Sequence, residues 1–194
     1  SIENQAADHQ HLFSGIDQVD NKGLATQFSV NQTLYKSGNN QKLDVFGNLN
    51  FIEESYTSIE RLYNVEFTRD WNLFNPTGDQ LFFNTGFDFR NNLKSNTQYR
   101  FQRLEYTDDF VGEKHSVSAS QVQDKFRIDA NASYLDSESS ILTSEFARAD
   151  VSGVYDFGKM WSGLRYKLED NQELQVETDK FTPNTQRFSS YEVF

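Results

Sequence analysis

Lys42-Leu43-Asp44-Val45-Phe46-Gly47-Asn48-Leu49-Asn50-Phe51 alternates apolar and polar side chains with little interruption. Leu43, Val45, Gly47, Leu49 and Phe51 fall on one set of positions; Lys42, Asp44, Asn48 and Asn50 fall on the other, with Phe46 the exception. Successive side chains of an extended chain point to opposite faces, so this stretch predicts a strand with one apolar and one wetted face. The same period continues outward in both directions. Leu24, Phe28, Val30 and Leu34 precede it; Ile59, Tyr63, Val65, Phe67, Trp71 and Leu73 follow, set against Glu60, Asn64, Glu66, Thr68 and Asp70. Leu81, Phe83, Thr85, Phe87 and Phe89 come next, then Tyr99 and Phe101, then Phe126, Ile128, Ala130, Ala132 and Tyr134. The pattern thins at Ala147, Ala149, Val151, Gly153 and Tyr155 and returns at Leu164, Tyr166 and Leu168. About nine or ten strands of roughly 8–12 residues are expected. Apolar positions three or four apart do not recur, so helices are not expected; Ile2 to Phe13 is the one weak helical stretch.

Composition agrees with this reading. The 194 residues include 18 Phe and 9 Tyr, yet the net charge is -11. Many large rings in a polar chain must be segregated by position, and they are numerous enough to offset chain entropy on folding. No Cys is present, which excludes a disulfide scaffold, a thiolate metal site and a cysteine nucleophile. The negative charge argues against a nucleic-acid partner, because phosphate binding needs clustered Lys and Arg. No run of about 18 apolar residues predicts a transmembrane helix. Residues 1–23 read as a polar N-terminal segment and turn, and residues 24–194 as one β domain. The polar opening Ser1–Gln10 and the strand-like close Tyr191-Glu192-Val193-Phe194 lead us to expect a piece of a larger protein.

Turn chemistry punctuates the strands. Ser37-Gly38-Asn39-Asn40, Asn75-Pro76-Thr77-Gly78-Asp79 and Asp156-Phe157-Gly158-Lys159 are turn sequences. Short links are expected near 53–55, 91–95, 123–125 and 157–160, with longer ones near 74–80, 107–112 and 136–143. Links this short join antiparallel neighbours, since a parallel crossover needs about a dozen residues. The fold class is therefore all-β, an antiparallel up-and-down meander. It is either part of an outer-membrane-type β-barrel or a soluble barrel or sandwich, depending on what covers the apolar face.

A membrane barrel requires strands of roughly 9–11 residues, outward apolar rows, aromatic girdles and alternating short and long links. Aromatic residues gather near the expected strand ends at Phe51/Tyr56, Trp71/Phe74, Phe82/Phe83, Tyr106/Phe110 and Tyr155/Phe157/Trp161. Arg61, Arg69 and Arg103 oppose this reading, because each falls on an otherwise apolar face. An arginine facing lipid at mid-bilayer costs about 2–4 kcal/mol.

The stretch Ser58-Ile59-Glu60-Arg61-Leu62-Tyr63-Asn64-Val65-Glu66-Phe67-Thr68-Arg69-Asp70-Trp71-Asn72-Leu73 resembles a segment of large, uncharacterised β-rich cell-envelope proteins of Bacteroidota. Leu12-Phe13-Ser14-Gly15-Ile16-Asp17, Gly112-Glu113-Lys114-His115 and Leu168-Glu169-Asp170-Asn171-Gln172-Glu173 share in the resemblance. It implies an exported protein of the outer membrane or cell surface and supplies no catalytic residues.

Chemistry-bearing motifs are sparse. Asp8-His9-Gln10-His11 is the most metal-like cluster but lacks the third and fourth ligands zinc takes. Asp17-Gln18-Val19-Asp20-Asn21-Lys22-Gly23 lacks the closing Glu of a calcium loop and reads as an Asx-rich turn. His115 lies in an expected strand with no nucleophile motif beside it, and Glu53-Glu54 and Asp108-Asp109 read as charged hairpin tips. Nucleophile elbows, phosphate loops and HExxH are missing from the sequence. No catalytic residue, cofactor or metal is therefore assigned. Trp71 and Trp161 are the candidates for stacking on a sugar ring, if they line an open groove. The functional expectation is a non-catalytic structural or transport segment of a cell-envelope β protein in the outer membrane. Its partners would be membrane lipid or other envelope proteins. The alternative is a soluble cell-surface module that binds glycan or protein through aromatics and loops. An assembly partner offering an exposed edge strand is a third reading.

Overall fold

A computed structural model of the chain describes residues 23–38, 40–56, 71–73, 76–92 and 94–194. Ten strands form one antiparallel sheet: β1 (Ala25–Lys36), β2 (Lys42–Ile52), β3 (Gln80–Asn91), β4 (Ser95–Tyr106) and β5 (Phe110–Gln123), then β6 (Phe126–Ser139), β7 (Leu142–Asp156), β8 (Trp161–Gln175), β9 (Lys180–Phe181) and β10 (Gln186–Val193). Their spatial order is β1-β2-β3-β4-β5-β6-β7-β8-β10, and the short β9 pairs with β8 beside β10. Every neighbour on this path is antiparallel, so the expected meander is the observed one. The sheet is open: no pairing joins β1 to β10 among the described residues.

Three details differ from the sequence expectation. The strands from β1 to β8 are 11 to 15 residues long, because polar as well as apolar residues extend the ladders. The links expected to be long near 107–112 and 136–143 shrink to Thr107–Asp109 and Ser140–Ile141. Here backbone pairing continues through Phe110↔Ser139 and Glu138↔Thr143, past the point where the apolar period stops. β2 and β3, the described strands on either side of the one expected over Ile59–Leu73, pair directly with each other. Residues 57–70 lie outside the described residues, and Trp71–Leu73 are not part of a strand.

The links divide between two ends of the sheet. At the tight-turn end are 37–41, 92–94, Asp124–Lys125 and Phe157–Met160. Asn40, Asn92 and Gly158 adopt positive φ there (58°, 55° and 91°), which Asn and Gly tolerate best. At the opposite, long-link end lie 53–79, Thr107–Asp109, Ser140–Ile141 and 176–185. Two of its links are tied together where the Ser140 backbone N–H donates to Asp109 Oδ1 at 2.8 Å. Hydrogen bonds from Ser140 hold the Asp109 carboxyl below its ordinary pKa.

Register sorts the side chains into two faces. Phe87, Tyr99, Val117, Ala132, Ala149 and Leu168 share one row of the apolar face. Asp88, Gln98, Ser118, Asn131, Asp150 and Lys167 share the adjacent row of the polar face. The buried core sits on the polar face, not on the apolar one. It consists of Trp71, Leu73, Leu104, Tyr106, Phe110 and Leu135, with Phe82 and Phe146 packed against it. Thus Phe82, Tyr106 and Phe110, expected at strand ends as girdle residues, instead point to the polar face and meet Trp71 and Leu73 of the 53–79 link. Trp71 lies over Gly112, where an added Cβ would be 3.0 Å from Trp71 Cε3 and 2.9 Å from Phe110 Cζ. The missing side chain at position 112 makes the seat for the indole.

Candidate functional site

The two faces of the sheet offer two different surfaces. The polar face is concave: one basin of about 700 Å³ draws lining residues from β1 (Asn31) through to β10 (Phe188). Its charges are mostly paired within the face. Lys42 Nζ lies 2.6 Å from Asp44, Arg90 Nη2 2.9 Å from Asp88, and Arg148 Nε 3.4 Å from Glu169. Arg165 Nε donates to Asp150 Oδ1 at 2.9 Å. Arg100 lies 5.6 Å from the centroid of the Phe46 ring, the one aromatic residue that broke the sequence alternation in β2. That ring occupies the space over Gly86, where a Cβ would come within 2.9 Å of Phe46 Cζ. Phe46 therefore belongs to the polar face because Gly86 leaves room for it. Oδ1 atoms of Asn50, Asn84, Asp88, Asn96 and Asn171 are buried with no hydrogen-bond partner among the described residues, and by register all five are on this face.

Toward the long-link end, Trp71–Leu73 lie against the same face, with Trp71 and Leu73 in the buried core. Asn72 Nδ2 donates to Ser144 Oγ at 3.0 Å and to Glu173 Oε2 at 2.8 Å. Glu173 is buried, and its other oxygen accepts from Thr182 Oγ1 at 2.7 Å. Asn72 and this carboxylate thus tie the Trp71–Leu73 stretch of the 53–79 link to β7, β8 and the β9–β10 turn. Replacing the carboxylate should be costly, because buried donors lose their acceptor. Glu173→Ala is expected to lower stability by about 1–3 kcal/mol and to red-shift Trp71 emission, read in a Trp161→Phe background. An unchanged denaturation midpoint would show that the carboxylate is dispensable.

The apolar face carries most of the exposed rings and aliphatic side chains: Phe28, Val30, Phe83, Ile128, Val151 and Leu164 (64% exposed) among them. Aromatic contacts cluster in two zones. Phe83 and Phe101 (6.2 Å), Phe101 and His115 (5.0 Å), and Phe87 and Tyr99 (5.8 Å) form one. Tyr155 and Phe157 (4.7 Å) and Tyr166 and Tyr191 (4.8 Å) lie toward the tight-turn end. An almost wholly apolar groove of about 440 Å³, lined by Phe126, Ile128, Val151, Tyr155 and Leu164, opens on this face. Beyond the row of Phe101, His115 and Tyr134 toward the long-link end, β4 to β7 turn polar, with Arg103, Glu113, Asp136 and Glu145 in register.

The residues singled out by sequence have these positions. Trp71 is 3% exposed and packs edge-on against Phe82 at 6.2 Å, so its ring faces the core rather than an open groove. Trp161 is 61% exposed at the tight-turn end and stacks edge-on with Phe194 at 5.5 Å. The two are not brought together. Arg103 does lie on the apolar-side row, but its Nε and Nη1 are each 2.5 Å from Glu105 and Glu113 respectively. Arg61 and Arg69, and the clusters at Asp8–His11 and 17–22, lie outside the described residues. His115 is exposed on the apolar face with Nδ1 2.8 Å from the Tyr99 hydroxyl. Among the described residues, no three His, Asp or Glu side chains gather in a metal-holding group. No helix among them is long and apolar enough to cross a membrane, which leaves strand crossings unaddressed. Sequence reasoning missed Gly112, Asn72 and Glu173; a lone Gly in a strand was the one local signal of a close approach. No family model, curated protein or solved structure matches this chain.

Proposed function

We propose that the chain is a non-catalytic length of the wall of an outer-membrane-type β-barrel, with the apolar face against lipid and the concave polar face lining the interior. The observation that carries this reading is the path of the apolar band across the sheet. On β3 the band is centred on Thr85, running from Leu81 to Phe89; on β8 it is centred on Tyr166, running from Leu164 to Leu168. Thr85 shares its row with Asp170, four residues beyond Tyr166. Four residues are ~14 Å along a strand, displaced over five strand spacings of about 4.8 Å each. The band therefore slopes at about 30° to the hydrogen-bonded rows, approaching the 35–45° strand tilt of membrane barrels. A flat slab cutting tilted strands produces this diagonal, whereas a protein layer packed on the face has no need of it.

Three further features support lipid outside and water inside. The apolar run Phe126–Tyr134 on β6 spans ~27 Å along the strand, or about 24 Å once that slope is removed, matching an apolar belt about 25 Å tall. Arg103, which counted against lipid, lies one row beyond the band on β4 and is neutralised by two carboxylates. An aqueous interior supplies donors for the five buried acceptor oxygens on the polar face. The protein's location on this reading is the outer membrane, and its role is to form a wall or lumen for structure or transport.

Expression of residues 1–194 followed by size exclusion and circular dichroism tests the reading. Folding is expected only with detergent or lipid, since an exposed apolar face of this extent associates in water. A monodisperse β-rich monomer in detergent-free buffer would overturn it and favour a soluble module.

A further inference from the structure

Among the described residues the sheet has two free edges, and their relative direction says what fills the gap between them. The ordered path holds nine positions, with β9 and β10 together on the free side of β8. All pairings are antiparallel, so direction alternates along the path, and the first and ninth positions point the same way. β1 and β10 both run from the long-link end to the tight-turn end. Both also border one basin, through Asn31 and Phe188. Direct β1·β10 closure would make a parallel pair in an otherwise antiparallel sheet. A second copy inserted in the same orientation offers its β10 to β1, again in parallel. Only an odd number of additional strands restores antiparallel pairing at both edges and gives the even total of bacterial single-chain barrels.

We propose that β1 and β10 are the two sides of a seam filled by an odd number of further antiparallel strands, apolar outward and polar inward. This rests on the barrel reading above. The chemistry of the inserted strands follows from the edges they meet. On the lipid side the flanking residues are Phe28 and Val30 of β1 and Tyr191 and Val193 of β10, all exposed. On the inner side they are Ser29, Asn31 and Thr33 of β1 and Ser190 and Glu192 of β10, polar residues with Phe188 the one ring beside them. A strand that alternates apolar and small polar residues matches both. Its main chain completes hydrogen bonding that, among the described residues, each edge strand has on one side only.

The chain's lack of cysteine makes the test direct. Cysteine pairs are placed across the seam (Phe28, Val30 or Gln32 with Ser189 or Tyr191) and across an existing ladder (Ala147 with Asp170, which are in register). After reconstitution in dioleoylphosphatidylcholine vesicles, the ladder pair is expected to oxidise nearly completely. Seam pairs should stay at background, both within and between copies. The chain is then extended past Phe194, through an Asn-Gly turn, by one strand (a copy of Ser95–Tyr106) or by two (a copy of Ser95–Gln123). The single-strand extension is expected to cross-link to a cysteine at Val30 and to slow β1 amide exchange at least about 100-fold. The two-strand extension should do neither. A seam disulfide in the unextended chain as complete as the ladder control, or equal behaviour of the two extensions, overturns the proposal. Vesicle flotation separates the two readings: a chain that does not float defeats the barrel wall, whereas a floating chain with a β1–β10 disulfide defeats the seam alone.

Discussion

Trp71→Ala is expected to lower the stability of the reconstituted protein by about 3–5 kcal/mol, in the range of large-to-small aromatic substitutions in a packed core. The indole fills a site built for it: open space over Gly112, an edge-on contact with Phe82 at 6.2 Å, and surrounding Leu104, Phe110 and Leu135. The edge-on pair alone adds about 0.5–1.5 kcal/mol beyond burial. The core is small, with Leu104 the one fully buried large side chain among the described residues, so little else compensates for the loss. Neighbours held by β-ladders on both sides cannot collapse into the hole, which keeps the cavity cost high. Trp161→Ala, at an exposed ring, should move stability by less than about 0.5 kcal/mol. Urea titrations of both variants, followed by circular dichroism in the same vesicles, give the comparison. Equal small effects would mean that the Trp71–Leu73 segment does not anchor the 53–79 link.

Val151→Arg should cost about 2–4 kcal/mol in a bilayer, while Thr143→Arg on the same strand and face should cost about 0–1 kcal/mol. Val151 sits at the centre of the band on β7, in register with Ala130 and Tyr166. Thr143 lies beyond the band at the long-link end, in register with Glu138, where a guanidinium finds water and carboxylates. The difference between the two isolates lipid from ordinary surface, because both positions lie on one face of one strand and neither is buried: Val151 is exposed and Thr143 half-buried. In a soluble protein an exposed Val→Arg change stays within about 0.5 kcal/mol. Unfolding titrations from vesicles, with the vesicle-bound fraction measured by flotation, read the effect. A Val151→Arg variant as stable as Thr143→Arg would remove lipid from the account of this face.

Much of the architecture was legible from residue order alone. Alternation such as Leu43, Val45, Leu49 and Phe51 against Asp44, Asn48 and Asn50 specifies both the strand and its two faces, since the period of side-chain direction is a local property of extended backbone. Tight turns at Asn40, Asn92 and Gly158 were readable for the same reason: positive φ is a demand on one residue at a time. Strand ends were less legible, because β5 and β6 keep pairing through Val111↔Glu138 and Glu113↔Asp136, where the apolar period has already given way to charge.

Which face is buried was not a local property. Trp71, Tyr106 and Phe110 carry the same aromatic signal as Phe101 and Tyr155, yet the first three pack into a core on the polar face and the others stand outward. That division depends on Gly112 opposite Trp71 and on Asn72 reaching Glu173, partners 101 residues apart in sequence. Likewise Arg103 reads as an intruder among apolar residues until register places Glu113 across from it. The sequence by itself determined strands, direction reversals and the segregation of rings from charges, because these follow from side-chain period and turn stereochemistry. Only the tertiary structure decided that the polar face is the concave one holding the core, that the apolar band runs diagonally, and that both sheet edges point the same way. Each depends on register and curvature summed over nine neighbouring positions, which no single stretch of chain encodes.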